Sequence, residues 1–120
     1  MTRTASLDWP IDTWPNSNSD RRKHWTRQRR EARAIRSAAA KLALTPATGP
    51  VRLTFTFAFP DRRRRDLDNY SVKAYIDGLV DSRAIAADDY QAVTAVTRTL
   101  DPERTERGRM RVTVTIEEVA

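Results

Sequence analysis

VRLTFTFAFPDRRRRDLDN, residues 51–69, reads as a strand running into a charged loop. Val51, Leu53, Phe55, Phe57 and Phe59 fall on one face of an extended chain. Arg52, Thr54, Thr56 and Ala58 fall on the other, the alternation of a strand with one buried side. Pro60 ends it, because proline has no N–H to continue a ladder. Arg62, Arg63, Arg64 and Arg65 follow, then Asp66 and Asp68. Guanidinium forks bind phosphate. Closely spaced carboxylates repel phosphate unless a divalent cation lies between them. A segment with both, just past a rigidly held strand end, suits a protein that grips a nucleic-acid backbone and brings a metal ion to it.

Upstream, residues 21–44 carry the period of a helix. Trp25, Ala32, Ile35, Ala39 and Leu42 define its expected buried stripe, with Ser19 or Asp20 as N-cap. The other faces hold Arg21, Arg22, Lys23, Arg27, Arg29, Arg30, Arg33 and Arg36 against one acid, Glu31. A solvated helix surface is one reading of such a run. The charge imbalance favours the other, a nucleic-acid contact in which Arg22, Lys23, Arg27 and Arg30 join Arg62–Arg65 on phosphates. Residues 45–50, TPATGP, break the helix. Residues 1–20, with Trp9-Pro10 and Trp14-Pro15, read as a looped entry with one short strand over Ser6–Trp9.

Downstream, residues 68–82 read as a second helix, capped by Asp68 or Asn69. Its apolar stripe is Val72, Tyr75, Ile76, Leu79 and Val80. Residues 90–100 read as a strand and 101–109 as a polar turn. Met110, Val112, Val114 and Ile116 then alternate with polar residues in a last strand. The expectation is a single domain over 1–120 of α/β (α+β) class: a mixed sheet of three to four strands packed with two main helices.

Composition narrows the chemistry. The 120 residues carry a net charge of +6, from 22 Lys and Arg against 16 Asp and Glu, which favours a polyanionic partner. There is no cysteine, so disulfides, cysteine-ligated zinc and thiol nucleophiles are excluded. His24 is the only histidine, which excludes two-histidine mechanisms and multi-histidine metal sites. No apolar run is long enough for a signal peptide or a membrane span, so the expected location is cytoplasmic, with no membrane partner.

Asp66 and Asp68 are two residues apart, and an extended segment would point both carboxylates one way. Asp88 and Asp89 return about twenty residues later, beyond the second helix. Three carboxylates converging among arginines is the arrangement a Mg²⁺-dependent nuclease needs. Lys73, the only lysine nearby, would stabilise charge in the transition state. Plainer readings remain open. Asp68 could only cap the helix, Asp66 could only pair with Arg64 or Arg65, and Asp88-Asp89 could be a turn. His24 reads as a structural or phosphate-contacting group. Trp9, Trp14 and Trp25 could stack on unpaired bases, although aromatics mostly pack in cores.

PDRRRRDLDN at 60–69, KAYIDGL at 73–79 and DDYQ at 88–91 together resemble the RusA family of Holliday junction resolvases, the crossover junction endodeoxyribonucleases of phages and prophages. The W-P…N-S-N opening and the His24-Trp25 stretch are similar to that family's amino-terminal region. The resemblance implies a small α/β homodimer that binds four-way branched DNA. It implies paired symmetric nicks in recombination and repair, with Mg²⁺ or Mn²⁺ and no organic cofactor. The essential carboxylates match Asp66, Asp68 and Asp89, with Asp88 assisting; the family's arginine run matches Arg62–Arg65. The family's catalytic lysine follows the Asn of DLDN by three residues, whereas Lys73 follows Asn69 by four. That offset fits an insertion at the helix start. Two alternatives stand beside this reading: a structure-selective DNA-binding protein with impaired catalysis, and a nuclease for other branched DNA. No helix-turn-helix pattern supports a sequence-reading transcription factor.

Overall fold

The alternation at 51–59 becomes β2 (Val51–Phe59) in a computed structural model that describes residues 2–119; Met1 and Ala120 of the expected 1–120 domain lie outside the described residues. β2 is interior to a four-stranded mixed sheet of order β1-β4-β2-β3. β1 (Thr2–Pro10) pairs antiparallel with β4 (Arg109–Glu118). β4 pairs antiparallel with β2, and β3 (Val93–Arg104) lies parallel on the far side of β2. The two interior strands supply most of the core. Val51, Leu53, Phe55 and Phe57 of β2, and Met110, Val112, Val114 and Ile116 of β4, are fully buried. The opposite face shows Thr54, Thr56, Thr113 and Thr115 partly open to solvent, with Ser6 and Thr113 hydrogen-bonded at 2.7 Å.

Three helices complete the α+β fold: α1 (Ser17–Asp20), α2 (Trp25–Ala40) and α3 (Lys73–Asp81). Tyr75 fastens α3 to the sheet. Its ring meets Phe55 edge-on at 5.2 Å, and its hydroxyl donates to the carbonyls of Ala5 (3.2 Å) and Val112 (3.4 Å). Burial pushes that phenol well above its usual pKa. α2 packs on α3 through Ile35 and Ala39, opposite Gly78. The Arg36 guanidinium grips Asp81 with two bonds, at 2.7 and 2.9 Å, and holds that carboxyl below the usual range.

Several boundaries differ from the expectations for physical reasons. The first long helix begins at Trp25, because His24 caps it: Nδ1 accepts from the Thr26 N–H at 3.2 Å. Residues 17–20 form a separate turn capped by Asn16 rather than by Ser19 or Asp20. Trp25 is 59% exposed and does not join the buried stripe; Glu31 is buried in its place. The second helix starts at Lys73, after a 3₁₀ turn at Leu67–Asn69 capped by Asp66, so neither Asp68 nor Asn69 caps it. The first strand spans nine residues instead of four, because β4 offers a partner along its whole length. β3 runs on to Arg104, which shortens the expected polar turn. No helix among the described residues is long and apolar enough to cross a membrane.

A Cβ on Gly78 would overlap the Arg36 carbonyl oxygen and the Ala39 Cβ. Gly78→Ala therefore forces α2 and α3 apart, against a modest gain in helix propensity. The expected cost is about 1–3 kcal/mol, typical of overpacking, read as a lower urea midpoint. An unchanged midpoint would show that the two helices separate freely.

Candidate nucleic-acid interface

Past Phe59 the chain turns into the arginine loop, and one arginine ties that loop down. Arg65 lays its guanidinium over the Phe59 ring at 4.4 Å and pairs with Asp61 at 2.8 Å; its side chain is only 10% exposed. Asp61 also accepts from the Arg63 N–H at 2.9 Å. The Arg65 bond, then the Arg63 N–H, holds the Asp61 carboxyl below the usual carboxylate range. Arg62, Arg63 and Arg64 stay exposed, with no carboxylate partner among the described residues.

The loop faces an open hollow of about 1240 Å³. Four segments border it: Ile11-Asp12, Asn16 to Arg27 of the α1–α2 region, Pro60 to Tyr70, and Arg107-Gly108 between β3 and β4. Arg22, Arg27, Arg63 and Arg64 are all on its lining, so the structure brings together cations from both basic stretches of the sequence. Lys23 lines the hollow too, but its ammonium is committed to Glu31 at 2.7 Å and its side chain is 8% exposed. Arg27 also approaches Glu31, at 3.6 Å. Arg30 lies elsewhere, beside Trp9, Pro10 and Arg109.

Arg107 is the contributor that the sequence did not single out. Its turn is fixed by Thr105 N–H on the Phe59 carbonyl (3.1 Å), Ile11 N–H on the Gly108 carbonyl (3.0 Å), and a positive φ of 77° at Gly108. The dense charge of Arg104-Thr-Glu-Arg107-Gly-Arg109 was the available signal.

Asp66 lines this hollow and caps the 3₁₀ turn that carries Asp68, which is exposed but not on the lining. The turn is not extended, so alternation does not align the two carboxylates. Asp66 instead folds back, and its Oδ1 accepts the Asp68 N–H at 3.0 Å. Neither aspartate pairs with an arginine among the described residues. The amino-terminal segment holds the turn in place. Asn16 bridges to Tyr70, Ser17 Oγ donates to Asn69 Oδ1 at 3.0 Å, and the Ser71 N–H donates to the Pro15 carbonyl at 2.9 Å. Trp14 is buried and donates Nε1–H to the Ser71 carbonyl at 2.8 Å, which makes it an anchor of the turn rather than a base-stacking surface.

The second acidic pair is placed differently. Asp88 lines a smaller hollow of about 340 Å³ with Lys73, Asp77 and Arg98. The Lys73 side chain is 77% exposed, and its ammonium lies 3.7 Å from Asp77. Asp89 Oδ1 accepts the N–H groups of Gln91 and Ala92, both at 3.1 Å, in a turn of its own. Among the described residues no group of three or more His, Asp or Glu side chains is gathered to hold a metal ion. Asp66 and Asp68 supply the hard carboxylate oxygens that Mg²⁺ takes, usually from one or two carboxylates plus water and substrate phosphate.

The family model described as Endodeoxyribonuclease RusA matches residues 13–117. A comparison with curated proteins finds no match.

The Arg65–Asp61 clasp makes a testable claim about the loop. Because the folded Asp61 pKa is lowered, its stabilisation is complete above the ordinary carboxylate value of about 4 and fades as pH falls through the folded value. At neutral pH, Asp61→Asn should raise the rate of tryptic cleavage within residues 62–65 several-fold. An unchanged rate would show that something else orders the loop.

Proposed function

The chain belongs to the RusA endodeoxyribonuclease family, and from that premise we propose that it is a Mg²⁺-dependent nuclease that resolves four-way DNA junctions by paired nicks, in recombination and repair. The observation that carries the reading is Asp66, on the lining of a hollow it shares with Arg22, Arg63, Arg64 and Arg107 and capping the turn that carries Asp68, with neither aspartate paired to an arginine among the described residues.

On this reading Arg22, Arg63, Arg64 and Arg107 hold the DNA backbone, and charge-assisted forks fix its register. Asp66 and Asp68 would hold the metal; Asp89, which is not gathered with them among the described residues, would be the third carboxylate only after its turn moves toward them. Mn²⁺ would substitute. A bound Mg²⁺ would polarise the scissile phosphate and acidify a coordinated water. Ser17 and Asn69 keep the acidic turn from shifting. Lys73, exposed on the same small hollow as Asp88, would offset negative charge developing on the phosphate. Symmetric nicking needs two sites, so the active species is a homodimer. Exposed Tyr90, Val96 and Leu100, beside or on the edge strand β3, support self-association, because apolar side chains on a free strand edge favour pairing. A structure-selective binder with impaired catalysis is the second reading; the lack of a three-carboxylate cluster among the described residues favours it.

A synthetic four-way junction and a linear duplex of the same sequence, each with protein and Mg²⁺, separate these readings. Paired nicks on opposing strands of the junction are expected. Binding without nicks in Mg²⁺ or Mn²⁺ would leave the impaired binder, and equal cutting of the duplex a general nuclease. Asp66→Asn, Asp68→Asn and Asp89→Asn should each keep junction affinity and lose about 10²-fold or more in nicking, the scale of removing one preorganised charge-stabilising group. A variant that nicks normally would remove that residue from the site. Arg63→Ala and Arg64→Ala should each lower the slope of log affinity against log salt by about 1.

A further inference from the structure

We propose that Trp25, flanked by His24 and Arg29, is a stacking platform for an unpaired DNA base, and that it favours branched over linear DNA. The inference rests on the reading above only in taking DNA as the partner. The three tryptophans have different surroundings. Trp14 is 1% exposed and forms part of the core, and Trp9 packs edge-on against it at 6.3 Å. Trp25 is 59% exposed, on the first turn of α2. An indole left largely in water forgoes the burial that makes tryptophan useful to a fold. Its site is nevertheless well ordered. His24 is fixed by its cap bond to the Thr26 N–H, and its ring lies 5.4 Å from Trp25 at an interplanar angle of 33°. The Arg29 guanidinium lies over the indole, 5.2 Å from the ring centroid.

The charge around the ring decides which partner fits. Trp25, Arg29 and Arg33 follow one another at four-residue steps along one exposed helix face. Arg21, Arg22, Arg29, Arg30 and Arg33 have no carboxylate partner among the described residues, and α2's one acid, Glu31, is buried and already taken by Lys23 and Arg27. A second copy docked on this face about a two-fold axis would press arginines against arginines. A polyanion relieves the same charges. Phosphate has no affinity for an indole face, whereas a nucleobase does, whatever its sequence. Bases inside a duplex are already stacked; those at a branch point are available. Trp25 itself is not on the lining of the basic hollow, but Lys23 and Arg27, two residues to either side of it in the chain, are, so a strand leaving the hollow reaches the platform across about one helix width. On stacking, the base takes over the indole face and Arg29 moves to a phosphate.

Tryptophan fluorescence of the full chain, titrated with single-stranded oligothymidylate, tests this. Quenching is expected in the wild type and should be lost in Trp25→Phe, because Trp14 is buried. Absence of quenching in the wild type, or equal quenching in Trp25→Phe, overturns the proposal. Trp25→Ala should weaken binding to a junction with one unpaired thymidine at its branch by about 5- to 100-fold, the range for losing one base stack. It should change affinity for a linear duplex less than about twofold, and Trp25→Phe should recover most of the junction affinity. Equal losses on junction and duplex, or a shift of Trp25→Ala from dimer to monomer in sedimentation, also overturn it. Nicking is a separate readout. A protein that nicks junctions without this quench keeps the nuclease reading and loses the platform; one that quenches without nicking does the reverse.

Discussion

Phe59 closes β2 with its ring packed between Arg65 on one side and Tyr70 on another, at 4.4 and 5.2 Å. Its carbonyl accepts the Thr105 N–H. One buried strand end therefore fixes three chain segments: the arginine loop, the backbone just past the acidic turn, and the turn that carries Arg107. The constraint originates in the core. β2 has hydrogen-bonded neighbours on both sides and a fully buried face, so its end has little freedom. Loops that leave a rigid strand end inherit its precision, and flexible arginines can then form an organised cation lining.

The second support comes from the opposite end of the chain. Trp14, Pro15, Asn16 and Ser17 run alongside Asn69, Tyr70 and Ser71 and bond to them through side chain and backbone. The acidic turn is thus held from both sides, by β2 through Tyr70 and by the amino-terminal segment. This also accounts for the late start of α3. A helix begun at Asp68 would remove Tyr70 from the bridge with Asn16, and would lift its ring from Phe57 and Phe59.

How much of this the sequence disclosed follows from which interactions are local. The faces of β2 and β4 were legible because alternation with one buried side is written residue by residue. The α3 stripe was legible for the same reason at a different period. The helix starts were not, because the bonds that set them depend on tertiary placement. His24 caps α2 once Lys23 has turned inward to Glu31, a contact eight residues away that no local pattern signals. Trp25 reads as core by its spacing and is exposed because Glu31 occupies the inward face. The gathering of Arg22 with Arg63 and Arg64 needed only the count of uncompensated charge to be suspected. The part played by Arg107 required knowing that β3 and β4 flank β2, so that their connection returns to the end of that strand. The convergence of Asp66 and Asp68 with Asp89 is the least local expectation of all, because it joins two loops across a helix; among the described residues no such cluster forms.

The segment D-R-R-R-R-D contains enough opposite charge to neutralise itself, and the way it avoids doing so governs its chemistry. Asp61 takes Arg65, and Phe59 holds the guanidinium flat, so the arginine nearest Asp66 in sequence is turned away from it. Asp66 uses one oxygen on the Asp68 N–H, which leaves its second oxygen without a partner among the described residues. Had Arg65 paired with Asp66, the turn would be electrically quieter and Asp61 would be the carboxylate left unpaired. As folded, two unneutralised carboxylates lie beside three exposed arginines. A phosphate drawn in by those arginines meets the carboxylates, and the repulsion between them is the energy that a divalent cation removes. Asp61, outside the acidic turn and four residues from Arg65, is the residue that keeps those two charges apart from their nearest counter-ion.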